Sequence, residues 1–162
     1  MASVRTRLLL AAATLVGGIL AGGIVDRSLV AGPAWHSLGA DAWAQFSRHA
    51  DLGAGLVLYP LEGIGAALLI VAAAVSYRFD ASAPRAAALP LYGAAAFSIA
   101  GLLLTMKAAP IMLALGAAQS SDIVKIDFAA FHFWGLYLRG TTDFLAFLAE
   151  VWAFTVLSRP DT

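Results

Sequence analysis

The chain has 162 residues, of which 61% are hydrophobic and only 12% charged, and it has no cysteine. Soluble domains average about 45–50% apolar and about 25% charged residues, so a water-soluble globule is excluded, and so is a disordered chain, which needs low hydrophobicity. Ten basic residues balance ten acidic ones; no basic face is left for nucleic acid, and without thiols there are no disulfides, thiolate metal sites or dithiol redox chemistry.

A membrane-crossing helix takes about 20 residues. Four apolar stretches of that order predict an all-α polytopic membrane protein, one membrane domain over 1–162 built as a four-transmembrane-helix bundle, with spans at about 8–27, 52–77, 86–107 and 138–158. No sustained period of two argues for strands. The first run, from Leu8 to Val25, follows Arg5 and Arg7. Despite the small residues Ala21-Gly22-Gly23 it has no convincing cleavage site, so it reads as a span rather than a signal peptide. An outer loop over 28–51 follows, with Trp35, His36, Trp43 and His49. Asp41 is placed to cap an interfacial helix there, with tryptophan at headgroup depth.

Pro60 predicts a kink in the second span. Pro84 marks the inner hairpin, and Pro110 is expected to bend or end the third span. A second outer loop carries Lys125 between Asp122 and Asp127, and Asp122 is placed to cap the helix that becomes the fourth span. Arg5, Arg7, Arg78, Arg85 and Arg159 share one side with only Asp80 and Asp161. That excess places both termini in the cytoplasm of a multi-pass plasma (inner) membrane protein. Gly18 and Gly22 form a GxxxG that suits close helix packing inside the bundle.

Charge at the bilayer centre costs about 2.5–3.5 kcal/mol, so intramembrane charges need partners or a wet cavity. On the fourth span His132, Arg139, Asp143 and Glu150 fall within about 40° of one line at about 100° per residue. Arg139 and Asp143 are an i, i+4 pair. Aligning the spans by depth brings Glu62, Lys107 and Asp26 to the same outer half, with Tyr59 one turn above Glu62. The expectation is an outward-facing polar pocket. Its floor is Glu150, its walls Glu62, Lys107, Arg139 and Asp143, and its catalytic candidates Glu150, Glu62 and Arg139. Asp143, Lys107, Tyr59, His132 and Asp26 are its binding candidates. Glu150, the deepest charge, has no evident partner and suits a proton acceptor. No metal is expected, because His36, His49 and His132 lack ligand spacing.

Several features resemble the anthrone oxygenase-like family of small four-span membrane proteins: the length and four spans, the long first outer loop after Ala21-Gly22-Gly23, Met106-Lys107-Ala108-Ala109-Pro110, and Phe133-Trp134 with Arg139. Where that family carries asparagines, this chain has Ala108, Met112 and Leu136. The resemblance implies oxidation of a lipophilic ring compound without a cofactor, with a carboxylate removing an acidic proton and Arg139 or Lys107 stabilising the anion. Two other readings compete: an accessory subunit whose ion pairs fix packing, and a proton-coupled transporter. For transport, four spans without an inverted repeat would need a homo-oligomer.

Overall fold

The structure, a computed structural model, describes residues 2–118 and 120–159; Asp161, counted in the inner charge balance, lies outside the described residues. Among the described residues there is no strand. Seven α-helices follow one another: α1 (Val4–Asp26), α2 (Gly32–Leu38), α3 (Ala40–His49), α4 (Gly55–Arg78), α5 (Ala88–Leu115), α6 (Ser121–Phe131) and α7 (Gly140–Leu157). They join into four continuous runs long and apolar enough to cross a membrane, Val4–Leu38, Ala40–Arg78, Arg85–Leu115 and Ser121–Leu157.

These runs exceed the predicted spans because backbone hydrogen bonding does not stop where hydrophobicity does. Wider i→i+5 turns carry α1 into α2 over Arg27–Ala31, α3 into α4 over Ala50–Ala54, and α6 into α7 over His132–Arg139. The expected outer loop 28–51 is therefore helical, interrupted at Gly39, whose φ of 97° ends α2 in a conformation that favours glycine. Asp41 lies in the first turn of α3 but the cap position is Gly39, and Ser120 rather than Asp122 holds the cap position of α6; neither makes a side-chain cap bond. Pro110 does not end α5, which runs on to Leu115. Trp43 is fully buried.

α1 packs on α4 and α7, and α5 packs on α7 and α4, which closes a four-helix ring. Two cores fill it. Near the 78–85 hairpin the core is made of small residues, including Ala13, Ala73, Ala94 and Ala153, with Leu10, Ile70 and Leu91. At the opposite end, under α3 and α6, it is aromatic and bulky, with Trp35, Trp43, Phe131, Met112 and Leu115. Arg48 of α3 donates to the carbonyl of Leu115 (3.2 Å) and to that of Ala118, which satisfies acceptors freed at the end of α5. Half of the expected GxxxG contact forms: a Cβ on Gly18 would lie 3.2 Å from Phe147, while one on Gly22 would meet nothing within 4 Å.

Candidate functional site

Between α1, α4, α5 and α7, in the half covered by α3 and α6, lies a cavity of about 470 Å³. Its walls are mostly apolar, with Leu20, Leu102, Met112 and Phe131 among them, and four charged side chains line it: Arg27, Asp51, Arg139 and Asp143.

Three of the four come from the wide turns: Arg27 from Arg27–Ala31, Asp51 from Ala50–Ala54 and Arg139 from His132–Arg139. Such turns shift the side-chain phase of the helices they join and recur at functional sites. Gly53, non-helical at φ −93° and ψ −116°, adds a kink beside Asp51.

The charges form two groups. In the first, Arg27 is paired with Asp51 through its two terminal nitrogens, Nη1 and Nη2. Its Nη2 also donates to the Tyr59 hydroxyl at 2.7 Å, and the Tyr59 hydroxyl donates to Asp51 Oδ1 at 3.2 Å. The guanidinium stands 4.9 Å from the centre of the Tyr59 ring, within cation–π range. In the second group, Arg139 Nε donates to Asp143 Oδ2 at 3.2 Å. The Asp143 carboxylate rests on Gly101 of α5, where a Cβ would collide with Oδ1. Glycine there leaves room for an acid between two packed helices.

Of the residues singled out in the sequence, the structure brings Tyr59, Arg139 and Asp143 to the cavity. It places five elsewhere. Asp26 and Lys107 are exposed and Glu62 is half-buried, none of them lines the cavity, and among the described residues no ion pair joins Glu62 to Lys107. Glu150, expected as the floor, is 1% exposed and seated against Gly17 of α1, with no hydrogen-bond partner at Oε2. Buried His132 is held by the Phe128 carbonyl through Nδ1 (2.9 Å) and stacks among Trp35, His36 and Phe128. For His132 the cause is phase. The stripe from His132 to Glu150 assumed regular turns, and the wide turn over His132–Arg139 rotates His132 away while Asp143 and Glu150 stay aligned on α7.

Arg27 and Asp51 belong to the site but were not among the sequence candidates. They lie 24 residues apart on different helical runs, a spacing that no helix periodicity connects. Each sits at the edge of an apolar span, and Asp51 shares a helical face with Glu62 at a spacing of 11.

At the other end of the bundle a hollow is lined by Ser3, Arg5, Ser76, Asp80 and Ser82. Asp80 accepts from the Ser82 hydroxyl (2.6 Å), the Ser3 amide (2.6 Å), the Ser82 amide (3.1 Å) and Thr6 (3.2 Å). These bonds, Ser82's above all, hold its carboxyl well below the usual carboxylate range. Asp80 is thus occupied as a latch between the N-terminal segment and the hairpin. The chain matches no protein-family model, no curated protein and no solved structure.

Proposed function

We propose that this is a multi-pass plasma (inner) membrane protein, both termini cytoplasmic, that holds a lipid-soluble ring compound in the cavity between its four long helices, in the manner of the anthrone oxygenase-like proteins it resembles. One observation carries the reading: a cavity of about 470 Å³ with apolar walls and a few convergent polar groups, which is the composition of a small-molecule site. The guanidinium groups of Arg27 and Arg139 offer donors to a ring oxygen, and Asp51 and Asp143 offer acceptors.

If the bound compound is oxidised, proton removal falls to a cavity carboxylate, Asp143 or Asp51, rather than to Glu150 or Glu62. A neighbouring guanidinium would stabilise the enolate. With anthrone the balance is one anthrone and one dioxygen giving one anthraquinone and one water, with no other reactant.

The test is titration of the protein in lipid nanodiscs with anthrone, in parallel with oxygen uptake. Arg139→Gln should weaken binding by about tenfold or more, the worth of a charge-assisted hydrogen bond. Glu62→Gln should leave it unchanged. Equal affinity of wild type and Arg139→Gln would remove the cavity from the reading.

A specific observation favours a second reading, that of an accessory protein. Both cavity arginines already have carboxylate partners within the chain, as a packing device requires. A chain in which Arg139 and Asp143 both become leucine, and which keeps its fold and its host phenotype, would favour that reading.

A further inference from the structure

The cavity is asymmetric. Its inner wall, with Ser98, Gly101, Met112 and Asp143, is buried. Its other side is formed by Leu56 and Ile64 of α4 and Met106 and Leu113 of α5, which line the cavity and are yet 49–70% exposed. The end under α3 and α6 is filled by the aromatic core, where Trp43 and Leu115 are fully buried. The opening therefore lies along the α4–α5 seam, within segments apolar enough to be surrounded by lipid.

The charges specify what can pass through it. Two guanidiniums and two carboxylates line the cavity and cancel. A net anion or cation would have to leave water, cross hydrocarbon and enter a neutral site, each step opposed by desolvation. A neutral ring carbonyl or phenolic hydroxyl meets no such barrier, and finds a guanidinium donor or a carboxylate acceptor at the inner wall.

We infer that the cavity opens sideways to the bilayer between α4 and α5 and admits an uncharged, membrane-dissolved amphiphile, polar oxygen first. This inference rests on the cavity being a ligand site and adds the route and the charge state. Gly63 stands in the mouth: it lines the cavity, and a Cβ there meets nothing within 4 Å, so a larger side chain would fill the opening without a backbone clash. Gly65 is equally open but does not line the cavity, and serves as the matched control.

The experiment has three arms. The chain has no native cysteine, so Ser98→Cys carries one nitroxide inside the cavity of the ligand-free protein in nanodiscs. Lipid-soluble oxygen should relax it and a water-soluble nickel chelate should not; the reverse order overturns the lateral mouth. Anthraquinone should bind at least about tenfold more tightly than anthraquinone-2-sulfonate, which has the same skeleton and a permanent charge. Equal or tighter sulfonate binding overturns the uncharged class. Gly63→Leu should slow anthraquinone association by about tenfold, with Gly65→Leu at the wild-type rate. Unslowed association in Gly63→Leu overturns the route while leaving the cavity as a ligand site. Failure of anthraquinone and anthrone alike to bind the wild type would instead remove the ligand-site reading, with the Ser98 label still deciding whether the mouth exists.

Discussion

The two ends of this bundle solve the same packing problem with different materials. Toward the 78–85 hairpin, alanines dominate the core, and Glu150 is sealed there against Gly17 with one oxygen unpartnered. Toward α3 and α6, the helices loosen into wide turns, the core becomes aromatic, and paired charges surround a cavity. α7 runs through both ends and carries one buried acid into each, Asp143 and Glu150, seven residues apart on one face. The comparison teaches that an acid's role here is set by its setting. The same type of side chain is half of an ion pair at a cavity wall and, two turns away, an isolated group in a closed core.

The largest expected effect breaks the open end. Asp143→Ala removes the partner of Arg139, whose side chain is only 21% exposed, and should destabilise the fold by about 3 kcal/mol, the lower end for breaking a buried pair. Reversible unfolding in mixed micelles measures it, and a loss under about 1 kcal/mol would contradict the pairing. Next, and opposite in sign, Glu150→Met at the sealed end replaces an unsatisfied buried oxygen with an apolar chain of similar shape. The gain should be about 1 kcal/mol or more in the same measurement; a loss would mean that Glu150 has a partner in the membrane. The smallest effect concerns the Asp80 latch. Its carboxyl is held below its ordinary value of 3.8, so the folded state binds the proton more weakly than the unfolded one. The latch contribution is complete above that value and fades as pH falls through the folded one. Acid unfolding of Asp80→Asn should show a shallower dependence below about pH 4 than wild type.

Hydropathy made the four runs legible because lipid selects composition over long windows, and the i, i+4 rule made Arg139–Asp143 legible because it is local. What could not be read was phase. Three wide turns shift the helix phase around Arg27, Asp51 and Arg139, and nothing in the composition of Arg27–Ala31 or Ala50–Ala54 marks them. Lys107 was placed by depth alone; depth fixes height in the bundle but not which way a side chain turns. The seats at Gly17 and Gly101 were equally hidden, since a glycine's value there depends on an acid from another helix.

Those two seats bear on how the protein is assembled. From Arg139 onward the run Ser121–Leu157 carries Arg139, Asp143 and Glu150, and these three charges, at about 2.5–3.5 kcal/mol each, oppose transfer of that segment into lipid as an isolated helix. Its acids rest on glycines of α1 and α5, both made earlier during synthesis. The first and third runs thus supply the seats that receive the acids of the fourth.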